Sequence, residues 1–218
     1  IKVKDSLKFL SKSSEIYRKN IKTKIIAITG SCGKTTLKEL LGNTLKQLSK
    51  VGISPKSYNN KYGVPLSLFN VDQKDNYGVL EIGMDKKGEI DYLSKIVKPD
   101  VSVITNINYA HVKNFKNLKQ IALAKSEIIN NTKVNGSIVL NADDNFFTLH
   151  KNIANKRNLK ILSFGIDSQN ANVKLINIKK ITNKFKATIR VNNLKTYFFI
   201  SNDFKTNILN ILAALAVI

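Results

Sequence analysis

One stretch constrains the fold more than any other: Ile25-Ile26-Ala27-Ile28-Thr29-Gly30-Ser31-Cys32-Gly33-Lys34-Thr35-Thr36. Its branched apolar opening reads as a strand buried on both faces, as in a parallel sheet. A glycine-bearing turn follows. Beyond it Leu37, Leu40, Leu41, Leu45 and Leu48 repeat at helical spacing. Strand, glycine turn, Gly-Lys-Thr and helix are the context of a phosphate-binding loop. Glycines let backbone N–H groups curl around phosphate oxygens, and the helix N-terminus adds partial positive charge. In such a loop Lys34 reaches the β- and γ-phosphates, and the Thr35 hydroxyl is a ligand for Mg²⁺. Ile28 stands where the general pattern has a glycine, so the loop is a variant form. The competing reading is a plain strand–turn–helix with a solvated Lys34, and the flanking pattern argues against it.

The remaining chain repeats strand and helix. Residues 51–53, 77–84, 101–106 and 137–144 read as strands, and residues 118–131 as a helix. This alternation predicts a parallel α/β sheet flanked by helices, with ligands at the carboxyl ends of the strands. A loop over 57–65 ends with Pro65 at a helix start. From residue 160 the pattern changes. Segments 160–164, 171–179, 184–191 and 195–200 are strands with short turns, which predicts a small antiparallel extension. A last helix begins near Phe204. Ahead of the main pattern, Leu7, Leu10, Ser14 and Tyr17 predict a lead-in helix or linker.

At 218 residues the chain can bury one large core. Its net charge of +21 invites a nucleic-acid reading. Lysines are spread along the whole chain, however, without the aromatic–basic alternation of RNA binders. The expectation is no nucleic-acid partner, with a field that still attracts nucleotides. No apolar run is long enough for a bilayer and none at the start resembles a secretory leader, so no membrane partner is expected. Cys32 is the sole cysteine, which fits a reducing cytoplasm. The chain begins at isoleucine and stops within an apolar helical pattern, and it reads as a piece of a longer protein.

Several residues carry possible chemistry. Glu81 closes an apolar strand, where a hard cation beside a phosphate loop wants a carboxylate. His111 follows a strand end and reads equally as a structural residue or a metal ligand. Lys125 interrupts an apolar helical stripe of Leu118, Ile121, Ala122, Ile128 and Ile129. It either snorkels to solvent or is buried for chemistry, where its pKa would fall. Asp143 and Asp144 end a strand and suit helix capping. Asn207 and Asn210 open the last helix, as caps or as readers of an adenine edge.

Eight strings then resemble the Mur ligases, in order. They are Thr29 to Thr36, Asn59-Asn60-Lys61-Tyr62-Gly63-Val64-Pro65, Leu80-Glu81-Ile82-Gly83-Met84, Lys98-Pro99-Asp100, Ile104-Thr105-Asn106, Ala110-His111, Ala124-Lys125-Ser126-Glu127-Ile128 and Leu140-Asn141-Ala142-Asp143-Asp144. The resemblance covers roughly residues 24–218. It implies a central domain of the P-loop NTPase-like kind, binding ATP and Mg²⁺, with residues 1–23 as the tail of an N-terminal substrate domain and no C-terminal domain. It implies an ATP-dependent ligase of peptidoglycan precursor synthesis that joins D-alanyl-D-alanine to UDP-N-acetylmuramoyl-tripeptide, as a monomer. Gly30, Ser31, Gly33, Lys34, Thr35 and Thr36 would hold the phosphates, Asn59 the γ-phosphate side, and Asn207 and Asn210 the adenine. Thr35, Glu81, His111 and Lys125 would serve metal ions, Lys125 as a carbamate. Lys34, Lys125, His111 and Asn60 would form the catalytic set. Asn108 replaces a usual glycine, and Thr206-Asn207 a usual His-Asn. Other Mur-type or folylpolyglutamate-type ligases, a nucleotide-binding module without ligase activity, and a basic nucleic-acid-binding ATPase are the alternatives.

Overall fold

The computed structural model describes residues 2–109, 114–202 and 204–218. Its elements run α1 (Ser6–Asn20), β1 (Lys24–Thr29), α2 (Lys34–Lys46), β2 (Val51–Ile53), α3 (Gly63–Phe69), β3 (Tyr77–Glu81), α4 (Glu89–Val97) and β4 (Val101–Ile104). There follow α5 (Leu118–Asn131), β5 (Ser137–Asn141), α6 (Phe147–Lys156), β6 (Lys160–Gly165), β7 (Val173–Ile181), β8 (Lys184–Val191), β9 (Leu194–Ile200) and α7 (Lys205–Val217).

The nine strands form one sheet in the order β2-β3-β1-β4-β5-β6-β7-β8-β9. Pairing is parallel from β2 through β7 and antiparallel from β7 to β9. The expected α/β sheet with an antiparallel extension is therefore present, with one correction. Segment 160–164 belongs to the parallel part, because β6 lies alongside β5 with Lys160 opposite Ser137. The ten-residue α6 makes the crossover that a parallel return needs.

The alternation of side chains in a strand sends successive residues to opposite cores. In β1, Ile25 and Ala27 join the core under α1, α3, α4, α5 and α6. Ile26 and Ile28 join the other, under α2 and α7. Leu37, Leu41 and Leu45 of α2 are buried there, and each such leucine contributes about 1.5–3 kcal/mol relative to exposure. Leu48, expected on the same stripe, is 72% exposed because α2 ends at Lys46.

Helix α1 is docked, not trailing. Arg18 is buried, and its guanidinium donates to the carbonyl oxygens of Val97 and Lys98 and to the Asp100 carboxylate at 2.9 Å. Asp100 also accepts the Ile25 N–H at 2.8 Å and pairs with Lys133 Nζ at 2.8 Å. One ion pair thus locks the helix to the start of β1. The polar residues Ser11 and Ser14 are buried on the same helix. Strand order reverses at β1: β3 lies on one side and β4 on the other. The loops after β1, β3 and β4 diverge there, which is where such sheets open a ligand crevice.

Candidate active site

The loop from Gly30 to Gly33 bridges β1 and α2. Gly30 has φ +146° and Gly33 φ +82°, a region that side-chain-bearing residues avoid. A Cβ on Gly30 would run into the Thr105 hydroxyl, and one on Gly33 would lie 2.7 Å from Asn210 Oδ1. Gly33 is the N-cap of α2 and supplies no side-chain cap, so the first N–H groups of the helix remain for a ligand.

Residues at the end of β4 hold this loop in shape. Thr105 Oγ1 and Asn106 Nδ2 both donate to the Cys32 carbonyl, at 2.7 and 3.1 Å. Cys32 N–H donates back to Asn106 Oδ1, and Ser31 N–H donates to the Asn106 carbonyl. The Ser31 hydroxyl donates to the Asn108 carbonyl at 2.9 Å. Asn106 stood in the sequence at a strand end and in the Ile104-Thr105-Asn106 string, with no role attached. Its two-way contact with Cys32 joins residues 74 apart in the chain, so no local pattern could reveal it.

Two lysines meet at Gly30. Lys34 Nζ donates to its carbonyl at 3.0 Å and Lys125 Nζ at 2.9 Å. Lys125 is 1% exposed, which settles the snorkelling question in favour of burial. Burial, and then the Lys34 charge, push its pKa down to about 7.

Glu81, at the end of β3, is buried and gathers two donors. The Thr35 hydroxyl donates to one carboxylate oxygen and Asn59 Nδ2 to the other, each at 2.7 Å. Ser57 Oγ lies 3.4 Å from Thr35 Oγ1. This is a set of oxygen donors one helical step from the phosphate loop, which suits a hard cation such as Mg²⁺. The positive-φ glycine cradle beside it suits phosphate. Among the described residues no group of three or more His, Cys, Asp or Glu side chains forms a metal cluster. His111 lies outside the described residues.

The other expected residues are placed as follows. Asn60 Oδ1 accepts the N–H groups of Tyr62 and Gly63, turning the chain into α3. Asn210, on α7, is buried against Gly33. Asn207 is half-buried and donates to Asn202 Oδ1 at 2.9 Å. Thr36 is exposed on the first turn of α2. Asp144 caps locally, accepting from Phe146 N–H, and also accepts from Ile107 N–H. Asp143 does not cap α6. It accepts the N–H groups of Ile166, Asp167 and Ser168, and so ties the turn after β6 to the end of β5.

A pocket of 490 Å³ opens beside Lys34. Asn59, Asn60 and Tyr62 line it from the loop before α3, and Glu89, Tyr92 and Leu93 from α4. A larger hollow of 620 Å³ between α1 and α4 contains none of the phosphate-loop residues.

The strand, the glycine loop with its lysine and the strand-end carboxylate define an α/β nucleotide-binding domain of the phosphate-loop class. The Mur ligase middle domain matches residues 28–218, and the chain belongs to that family. It is 38% identical over 181 residues to the UDP-N-acetylmuramoyl-tripeptide–D-alanyl-D-alanine ligase of Buchnera aphidicola from Acyrthosiphon pisum, covering 83% of this chain and 37% of that enzyme. Crystal structure I of MurF from Acinetobacter baumannii superposes with a TM-score of 0.91 at 31% identity, over 99% of this chain and 47% of that one. MurF of Thermotoga maritima in complex with ADP gives a TM-score of 0.89 at 31% identity, over 100% of this chain and 50% of that one. The chain spans under half the length of the curated relatives it matches.

Proposed function

We propose that this chain is the ATP-binding part of a ligase that joins D-alanyl-D-alanine to UDP-N-acetylmuramoyl-tripeptide, with residues 1–23 leading in from a substrate domain and 24–218 forming the central domain. The observation that carries the reading is the convergence of Lys34, Thr35, Asn59 and Glu81 at the carboxyl ends of β1 and β3. The likeness to a MurF structure holding ADP supports it.

The γ-phosphoryl group of ATP would pass to the terminal carboxylate of the tripeptide, forming an acyl phosphate and releasing ADP. The amine of D-alanyl-D-alanine would then attack the acyl carbon. Phosphate leaves as the amide forms, and the amine loses its proton. Lys34, freed from the Gly30 carbonyl, would reach the β- and γ-phosphate oxygens and offset the charge there. Gly30, Ser31, Gly33 and Thr36 would present backbone or hydroxyl donors to the phosphates. Thr35 and Glu81 would hold Mg²⁺, with Asn59 orienting the Glu81 carboxylate. When bound, that ion would offset negative charge on the phosphates. Asn60 would shape the pocket wall on the γ-phosphate side, and Asn210 and Asn207 would face the adenine end.

His111 and Lys125 complete the proposed set. A neutral Lys125 amine can take up CO₂ to give a carbamate and one proton, exchanging a cation for oxygen ligands that a hard ion prefers. The reaction is assigned to the cytoplasm, to a monomer, and to small-molecule substrates without nucleic acid. No described helix is long and apolar enough to cross a membrane.

Calorimetric titration with ATP and Mg²⁺ tests the nucleotide reading. Lys34→Ala should weaken binding by roughly 100-fold, since it removes charge-assisted bonds to phosphate. Unchanged affinity would discard the phosphate-loop assignment. In a complete enzyme carrying this domain, sustained ADP release over many turnovers should require both the tripeptide and D-alanyl-D-alanine; release driven by DNA or RNA instead would refute the ligase reading.

A further inference from the structure

A second lysine on α2, Lys38, bonds to the loop that meets Glu81. Lys38 lies one helical turn beyond Lys34 and is 0% exposed. Its Nζ donates to the Ser54 carbonyl at 2.9 Å and to the Lys56 carbonyl, and pairs with Glu39 Oε1 at 2.9 Å. An ammonium has three donors, and here three acceptors meet it. A buried charge is costly unless so matched, so this site is built for a cation. Lys56 itself has φ +44°, a conformation rare for residues with a side chain. Its carbonyl bond to Lys38 stands at that unfavourable turn.

The loop held this way brackets Glu81 from both ends. Upstream, Ser54 Oγ accepts the Glu81 N–H at 3.4 Å. Downstream, Asn59 Nδ2 donates to the Glu81 carboxylate, and the Asn59 carbonyl accepts the Gly83 N–H at 2.8 Å. Between them, Ser57 Oγ approaches Thr35 Oγ1. Lys38 grips the stretch at Ser54 and Lys56, and it does so from the same helix that carries Thr35.

We propose that Lys38 is a positioning residue for the metal-bound nucleotide. It touches neither, but it sets the loop that orients Asn59 and Glu81, and so sets how far Mg²⁺ strengthens nucleotide binding. The proposal rests on the metal reading of Thr35 and Glu81.

The experiment measures ATP affinity by calorimetry in excess Mg²⁺ and in EDTA, for the wild-type chain, Lys38→Met and Lys38→Gln. The partners of Lys38 are Ser54, Lys56 and Glu39, none of them in the phosphate loop, so affinity in EDTA should stay within about twofold, while Lys38→Met loses roughly tenfold or more of the Mg²⁺ enhancement, a typical size for coupling between linked sites. Lys38→Gln keeps an amide donor for the carbonyls and should fall between. A pure core lysine would lower the thermal midpoint and leave the Mg²⁺ enhancement intact; that outcome overturns the proposal. Failure of both variants to fold would likewise make Lys38 a core residue and end it. A wild-type chain that binds ATP without any gain from Mg²⁺ would instead remove the metal reading at Glu81.

Discussion

At the scale of one residue, Lys125 is a lysine whose proton the fold opposes. Burial and the neighbouring Lys34 bring its pKa to about 7 from the usual 10.5. The unfolded chain keeps that proton up to the ordinary lysine range, whereas the folded chain has released it above about 7. Between these values the unfolded state binds more protons, so stability must rise with pH. Below about 7 both states are charged and the penalty is constant. In CO₂-free buffer the thermal midpoint should therefore climb as pH goes from 7 toward 10, by more than in Lys125→Met. A wild-type midpoint that follows the variant across that window would contradict the buried cation. With ¹³CO₂ present at pH 8, carbon NMR should show a carbamate signal that Lys125→Ala lacks. Lys125 was half legible in the sequence: the stripe of Ile121, Ala122, Ile128 and Ile129 showed an anomaly but not its direction. What decides it is the Gly30 carbonyl, 95 residues away.

At the scale of elements, what was legible follows from periodicity. The strand–loop–helix at Ile25 to Leu45 and the helix over Leu118–Asn131 carry their own hydrophobic pattern, and the structure has both. Helix α4 was missed. It is nine residues long, preceded by the charged run Asp85-Lys86-Lys87, and bounded by Gly88 and Lys98 in left-handed conformations. Its start is fixed from outside: Glu127 of α5 accepts the N–H groups of Gly88 and Asp91. Glu127→Ala should thus cost about 1 kcal/mol in urea unfolding, as loss of a helix cap does. The loop that binds Lys38 was illegible for the same reason, since its meaning lies in carbonyl groups that sequence does not distinguish. Gly33 shows the opposite case, a residue whose type already states its conformation. Gly33→Ala should destabilise by roughly 1–2 kcal/mol for the left-handed backbone alone, and its contact with Asn210 should lower ATP affinity as well.

At the scale of the whole molecule, charge is the first question. A net charge of +21 attracts polyanions of any sequence. Binding to random duplex DNA should be weak and fall steeply and linearly in log–log plots against salt; a sequence preference surviving at high salt would point to a nucleic-acid role. Architecture is the second. The Arg18 side chain is 3% exposed and pairs with Asp100, which is 25% exposed and keeps Lys133 as a second cation, so truncating Arg18 costs about 1–3 kcal/mol through the buried Val97 carbonyl it leaves without a donor. Arg18→Ala should show that loss, and amides of residues 6–20 in the wild type should exchange with solvent as slowly as those of β1. Mechanically, the clamp makes the first helix a lever welded to the nucleotide-binding body. Any segment attached ahead of this helix would turn before its capped start at Asp5, not about residues 21–23. The helix would then keep its place on the body whatever that attachment does, held by Arg18 to the carbonyl groups of Val97 and Lys98.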